Sequence, residues 1–500
     1  MRNGAQLLLV ASLVACGAPA YQAPSVRVAP SYSVVSRESA SPARDSAAVT
    51  SSTGVTRVAS AGAIASPVSA ASATYSTAMS SVPFWREIGD STLAKLIEEA
   101  LRTSVDVDAA EARVTEARAA RRVSSFDLGP TVTAVASASR QRSSMAQVPG
   151  LTSQLPQRDL YDVGFDASWE VDVFRRVNRT VNAYSTLAAS AEHSLADVQV
   201  TLAAEVARTY FELRGAEQQL AVARRNAEVQ RKTVSLTEDR LTAGRGTAFD
   251  TERAKSVLQL TLAAIPAIEA QIAADRNRIA TLVGRAPNTL PAGWPGSGAL
   301  PDLPDTVRVG SPQQLVRRRP DVLGAERQLA AQSLFVSAAQ ADYLPKISLA
   351  ASAGYAATSF DSLSRRGTSR IVAGPVITFP LLDLGRVKAR VDVAHAREGE
   401  AKAQYNATVL RAVEETETAL VTYDRSHARV GLLGEAVRAS TRAFELAQQR
   451  FEAGLTDFLQ VLDAQRTLLD AENQLAQAHT SAATALVAVY KATGGTWPIN

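Results

Sequence analysis

Cysteine occurs once in the 500-residue chain, at Cys16. Downstream of it, no disulfide and no cysteine-built metal cluster can form. Aromatic residues make up only 5%, whereas alanine and serine are abundant. Side chains that small suit close helix packing better than one thick core. Charge of either sign is in little excess, the formal net charge being +4. No basic stripe carries interleaved aromatics, which leaves nucleic-acid binding without support. His193, His395, His427 and His479 lack metal-ligand spacing and read as surface residues. No phosphate-binding glycine loop and no nucleophile–base arrangement emerges, so the chain reads as neither an enzyme nor a cofactor binder. No apolar run of about 20 residues follows the first residues, so a membrane crossing would have to use β-strands.

What is present begins with a leader. Arg2 precedes the short apolar run Leu7–Ala11, which reads as a signal peptide. Leu13-Val14-Ala15-Cys16-Gly17 resembles a bacterial lipobox, making Cys16 the expected lipidated residue after a leader of residues 1–16. Gly17 stands where an inner-membrane retention signal would have aspartate, which favours the outer membrane. Residues 17–81, rich in Ala, Ser, Pro and Val, have no sustained periodicity and read as a flexible tether.

The rest is organised by a duplication. Leu241-Thr242-Ala243-Gly244 resembles Phe451-Glu452-Ala453-Gly454, an offset of 210 residues. Leu282-Val283-Gly284 against Ala492-Thr493-Gly494, and Arg176-Val177 against Arg386-Val387, share that offset. The expected division is a first repeat over 82–287, a connector over 288–318 and a second repeat over 319–497. In the first copy, Val206, Leu213, Leu220, Ala227, Val234 and Leu241 recur every seven residues. In the second, Val430, Val437, Phe444 and Phe451 do the same. These are coiled-coil seams. Helices from near Arg176 and Arg386 to Gly244 and Gly454 would be roughly 100 Å long. Glycine caps would turn the chain there. Second helices are expected over 248–284, kinked or divided at Pro266, and over 457–493.

Strand-like alternation precedes each long helix. Tyr161, Val163, Phe165, Ala167, Trp169 and Val171 alternate with Asp162, Gly164, Asp166, Ser168 and Glu170. Residues 347–355 and 371–381 alternate likewise, and 131–139 more weakly. Segments of about 10 residues match a tilted membrane strand. They form two hairpins around polar loops at 143–159 and 356–368. Four strands cannot close a membrane barrel, for which about eight is the minimum, so several chains would have to share one.

These features resemble the TolC/OprM outer-membrane factor family, in its lipoprotein branch, over roughly residues 82–497. The similarity is carried by Phe84-Trp85 with Asp90, by Val283-Gly284-Arg285-Ala286-Pro287 and by the stretch from Leu315 through Arg317-Arg318-Arg319-Pro320-Asp321 to Val322. It continues in Arg450-Phe451-Glu452-Ala453-Gly454-Leu455, Val461–Arg466 and Gly494-Gly495-Thr496-Trp497. The resemblance implies a mainly α chain with a membrane β part. A homotrimer would form a twelve-stranded outer-membrane barrel, continuous with a long periplasmic α-helical barrel. It implies a belt gathering residues near 82–100, 286–318 and the C-terminus. It implies partners: a periplasmic adaptor and an inner-membrane efflux transporter of the resistance–nodulation–division class, the channel passing small molecules such as drugs passively.

Site expectations come from the same source. Asp463 matches a carboxylate ring at the periplasmic entrance, and Leu459 a hydrophobic constriction. Arg466 lies within reach of Asp463 at i+3. A solvated helix pair and ordinary seam packing are the plainer readings. Asp457 and Asp250 are weaker candidates, because aspartate favours helix N-termini in any case. The tips, Gly244-Arg245-Gly246-Thr247 and Gly454-Leu455-Thr456, would meet the adaptor or simply cap helices. Arg317, Arg318, Arg319 and Asp321 read as packing and capping residues around Pro320. Two other readings are a periplasmic adaptor, which would have one hairpin between compact β domains, and a coiled-coil envelope lipoprotein, which would not need paired strands.

Overall fold

The computed structural model describes residues 24, 29, 31–33, 74–76, 82–142, 156–287, 289, 300, 301, 303, 304 and 306–495. Cys16, the leader, most of the tether, the loop at 143–155 and Trp497 lie outside the described residues. In chain order the elements are β1 (Thr74–Ser76), α1 (Phe84–Glu87), α2 (Ser91–Thr103), α3 (Val105–Phe126), β2 (Thr131–Gln141) and β3 (Arg158–Glu170). There follow α4 (Arg176–Thr242), α5 (Ala248–Leu282), β4 (Thr306–Arg308), α6 (Pro312–Val316), α7 (Pro320–Ala341), β5 (Lys346–Ala357) and β6 (Ser369–Thr378). α8 (Leu384–Glu452) and α9 (Phe458–Ala492) end the fold.

The chain is mainly helical. α4 and α8, of 67 and 69 residues, contain no proline. Their neighbours α5 and α9 are 35 residues each. α5 runs through Pro266 undivided, so of the expected kink or division the division does not occur. Pro266 is exposed. By length and composition α5 is also apolar enough to cross a membrane, which the sequence did not show on inspection; in the single chain little of its apolar stretch is fully buried, most of its aliphatic residues being half-buried and Leu260 exposed.

Two compact units divide the chain. The first comprises Met1–Val26, Glu111–Ser194 and Leu323–Thr408. Its centre is an antiparallel sheet of order β2-β3-β5-β6. The register places Ala134 opposite Phe165, Phe165 opposite Ala353, and Ala353 opposite Ile371. Every alternate residue therefore falls on one apolar face, and Phe165, Val163, Leu349, Tyr355 and Ile371 are exposed there. On the other face stand Thr131, Thr133, Asp166, Ser168, Ser352 and Val372, which line a groove of about 340 Å³. Gly164 pairs with Gly354 on that face. A Cβ on Gly164 would lie 2.6 Å from the Ala353 carbonyl oxygen, so the strands approach there only because both residues lack side chains. At the entry to α4, the Arg176 guanidinium binds both oxygens of Glu170, at 3.0 and 2.6 Å. Asp172 accepts from the backbone N–H groups of Val177 and Asn178 at 3.0 and 2.7 Å, capping the helix.

The second unit comprises Arg27–Ala110, Leu195–Val322 and Val409–Asn500. Its core joins Phe84, Leu93, Ile97, Tyr210, Phe211, Leu213, Leu420 and Leu486. Phe84 stacks on Tyr490 with centroids 5.1 Å apart. α4 meets α9 at Gly215, where a Cβ would lie 2.7 Å from the Thr480 methyl carbon. In the seam of α4, Val206, Leu213 and Ala227 are buried, whereas Leu241 at its end is exposed. Arg319, buried, donates to the Ala492 carbonyl at 3.0 Å and pairs with Asp321 and Glu415 at 2.7 and 2.8 Å. It thereby ties the end of α9 to α8 and to the start of α7.

The tether is not structureless along its whole length. Tyr32 is buried, and Ser33 donates through its N–H and hydroxyl to Glu417. β1 pairs in parallel with β4, and the Tyr75 hydroxyl donates to the Leu420 carbonyl at 3.2 Å. Single aromatic anchors and a three-residue strand leave no periodic trace. The histidines also differ from expectation. His395 is exposed, but His193, His427 and His479 are half-buried, and burial lowers the pKa of His193 and His479.

Asp197 on α4 provides a test. Burial foremost, and next the like charge of Asp321, raise its carboxyl pKa, with Arg319 and Lys491 only partly opposing. A raised pKa means that the fold binds the proton more tightly than the unfolded chain. Stability is therefore lost as pH rises from the unfolded value of about 4 through the folded one, and the loss stays constant above. Asp197→Asn should raise the thermal midpoint at neutral pH, and the gain should vanish at acid pH below about 4. An equal gain at both would exclude ionisation as its source.

Candidate functional site

Both long helices end in the same way. Gly244 and Gly454 take φ +70° and +75°, and nothing crowds either, so conformation rather than space requires glycine. The next N–H reaches back five residues, from Arg245 to the Arg240 carbonyl at 2.9 Å and from Leu455 to the Arg450 carbonyl at 2.8 Å. This is the Schellman arrangement. Thr247 caps α5: its hydroxyl accepts from the Asp250 N–H at 3.2 Å and donates to the Asp250 carboxylate at 2.6 Å. Asp457 caps α9 by accepting from the Gln460 N–H at 3.2 Å. Thr247, Asp250 and Asp457 therefore have local capping roles.

Leu459 and Asp463 lie one turn apart on α9, both exposed, with Leu459 at 49%. Arg466 is exposed on the next turn. Among the described residues no ion pair joins Asp463 to Arg466, unlike the expected i,i+3 pair. Two solvated side chains gain little from pairing against the entropy of fixing them. Asp463 thus presents an uncompensated carboxylate beside an exposed leucine. Leu455 and Phe249 are exposed to 71% and 69%, an apolar end to both tips.

Sequence reasoning missed what holds the tips together. Phe451, Phe458, Val461, Leu462 and Ala254 form a small core. The Arg240 guanidinium lies 3.8 Å above the Phe451 ring and donates to the Phe451 carbonyl at 3.1 Å. A cation over a ring contributes about 0.5–2 kcal/mol. The available signal was spacing, since Arg240 and Arg450 each precede a capping glycine by four residues. Beyond this core lie Gln230 and Gln465, each only 2% exposed. Among the described residues, neither amide nitrogen nor oxygen of either has a hydrogen-bond partner.

The sheet's polar face supplies a second set of groups. Arg370 donates to both oxygens of Asp162, at 2.8 and 2.6 Å, and to the Ser352 hydroxyl at 2.6 Å. The charges on this face are thus partly neutralised in place. On the apolar face the Trp169 indole donates to the Leu128 carbonyl at 2.9 Å, at the end where the strands join helices.

A sheet apolar on one face and polar on the other, joined to unusually long helices, fits a membrane channel component. Comparison with known proteins gives the family. The model described as "Outer membrane efflux protein" matches residues 96–285 and 311–495, and the chain belongs to that family. It is an outer-membrane channel component of an efflux system. It is 31% identical over 426 residues to the pyoverdine export outer membrane protein OpmQ of Pseudomonas aeruginosa, covering 83% of this chain and 87% of that one. It is 29% identical over 413 residues to the solvent efflux pump outer membrane protein SrpC of Pseudomonas putida, covering 82% and 87%. The solved structure of the outer-membrane channel OprN superposes with a TM-score of 0.80 at 34% identity, over 87% of this chain and 99% of that one.

The orphaned glutamines yield a prediction. An unpaired buried polar group costs about 1–3 kcal/mol. Gln465→Leu should therefore slow amide exchange in the α8–α9 tip and raise the urea midpoint. Faster exchange would mean that the amide is satisfied in solution, by water or a neighbouring chain.

Proposed function

We propose that three copies of this chain form one duct, each contributing four strands to a twelve-stranded barrel and its long helices to a periplasmic tunnel. The observation that carries this reading is the sheet. Its apolar face is exposed and its outer strands β2 and β6 each have one neighbour. In hydrocarbon an unpaired backbone group costs several kcal/mol, so these edges must be joined by other chains. Strands of 10–13 residues are long enough to span a bilayer at a tilt. Two chains would reach the minimum of eight strands; the family likeness favours three. The partly exposed apolar stretch of α5, with Leu260 at 71%, supports the same assembly, because a neighbouring chain's helices would cover it.

The two-copy organisation, 82–287 and 319–497 about a 288–318 connector, accounts for the matched ends. Gly284 and Gly494 take φ +70° and +87°, repeating the pattern of Gly244 and Gly454 at the same offset. The belt is supported by contacts in the second unit. Arg285 binds Glu99 at 2.5 Å, and the Thr103 hydroxyl donates to the Val283 carbonyl at 2.8 Å. Phe84 meets Tyr490, and Arg319 meets Ala492.

In this reading Cys16 carries the lipid anchor and the tether links it to the second unit. The apolar tips around Gly244–Thr247 and Gly454–Thr456 receive a periplasmic adaptor, which couples the duct to an inner-membrane transporter. Three Asp463 carboxylates and three Leu459 side chains meet at the entrance, with Arg466 free to offset the carboxylates. The duct is passive, and its relatives, named for pyoverdine and for solvents, suggest that cargo is chosen upstream.

Detergent-extracted protein should have the mass of three chains and conduct in planar bilayers. A water-soluble monomer without conductance would overturn the duct. Asp463→Ala with Leu459→Ala should raise single-channel conductance by opening the entrance; unchanged conductance in a normally assembled variant would remove these residues from the gate.

A further inference from the structure

The sheet of the first unit has two dissimilar ends. At one end the strands run into α3, α4, α7 and α8. At the other stand only the two hairpin turns, and the chemistry changes abruptly there. The apolar face ends in aromatics: Tyr161 meets Phe360 edge-on at 6.0 Å, Tyr355 is exposed, and Phe360 is 73% exposed. Beyond them come arginines. The first hairpin carries Arg140, Arg142 and Arg158 against Asp159 alone, since residues 143–157 contain no charge. The second carries Arg365 and Arg366 against Asp361 alone.

Both carboxylates are already engaged. Asp159 takes Arg140 in a two-point pair, at 2.6 and 2.9 Å. Asp361 takes Arg365 at 3.3 Å. Arg142 and Arg366 remain, both exposed and without a carboxylate partner among the described residues, whereas Arg158 falls with Asp162 and Asp166 on the polar face of β3. Two unneutralised guanidinium groups thus stand beyond the aromatic belt of the apolar sheet.

We infer that this rim is a docking surface for the phosphate-bearing headgroups of anionic glycolipid in the surrounding leaflet. The inference rests on the reading of the sheet as a membrane wall. The planar fork of guanidinium matches phosphate in two parallel hydrogen bonds. Aromatic rings settle at the boundary between acyl chains and headgroups, which places the arginines beside them at headgroup level. A basic rim that served only to stay solvated would gain from interspersed carboxylates, yet both acids present are consumed by other arginines. Assembly of several chains would repeat the two groups around the circumference.

The test uses the full-length protein purified in detergent, with diphosphorylated lipid A as the probe and native mass spectrometry as the readout. The variant is Arg142→Gln with Arg366→Gln. A lysine or arginine near an anionic surface contributes about 1 kcal/mol, or roughly fivefold in affinity, so the double variant should hold lipid A about twenty-five-fold more weakly. Dephosphorylated lipid A should bind wild type and variant alike. Inorganic phosphate, even in excess, should displace little lipid from the wild type. Bilayer conductance of the variant should equal that of wild type. Equal lipid A retention by wild type and variant, with conductance intact, overturns the inference while leaving the duct standing. Displacement by free phosphate would reassign the rim to soluble anions and overturn it too. Altered ion selectivity with unchanged lipid binding would make the arginines pore residues instead. Absence of conductance from the wild type would remove the membrane-wall reading and the inference together.

Discussion

The backbone of a strand carries donors and acceptors on both edges, and hydrocarbon offers them nothing to bond. The assembly proposed for this molecule follows from that constraint. Four strands, ordered β2-β3-β5-β6, satisfy their inner edges and leave two outer ones. A soluble protein would cover such a sheet with its own helices. Here Phe165, Ile371 and Leu349 stay exposed on the apolar face, and the long helices are continuations of the strand ends rather than a layer upon them. The face opposite is lined by Ser, Thr, Gly and Ala with a few charges, as suits a wall with water on one side only.

Long helices carry a second constraint at their ends, where the last carbonyls lose their partners. Four helices meet it with one device, glycine in the left-handed conformation at 244, 284, 454 and 494. Arg319 adds a stronger one. Its guanidinium binds the Ala492 carbonyl, Asp321 and Glu415 together, so one buried charge closes α9 and fixes the start of α7. A charge in that setting is tolerated because two carboxylates and a carbonyl surround it. In the same neighbourhood burial raises the Asp197 pKa, and Asp321 adds to it while Arg319 and Lys491 only partly oppose.

Local rules made the strands and caps legible. Tyr161–Val171 alternates so regularly that its face could be assigned before any pairing was known, and Gly244 and Gly454 marked their turns by type alone. Contacts between distant segments were not legible. Nothing local couples Arg240 to Phe451, which are 211 residues apart. Tyr32 and Tyr75 lie in a stretch without periodicity, so their burial could not be read from pattern. At Pro266 the rule left kinking and division both open, and only the division failed to occur. The candidate gate was legible only through family likeness. Asp463 and Leu459 are exposed residues on a solvated helix, and exposure alone gives neither a role.

The polar face bears on what such a wall can distinguish. Selective binding requires several groups converging on one ligand, in a concave and largely apolar pocket. The groove on this sheet is instead lined by short side chains, Thr131, Thr133, Ser168, Ala350 and Ser352 among them. Arg370, on the same face but outside that lining, is held by Asp162 and Ser352 and has little left to offer a passing solute. Asp166 is the one charged residue of the lining. A surface of this kind discriminates by size and net charge, through its field and its width, and only weakly by shape. That property accords with relatives named for cargo as unlike as pyoverdine and organic solvents. In the proposed duct such a surface would leave recognition to whatever loads the channel.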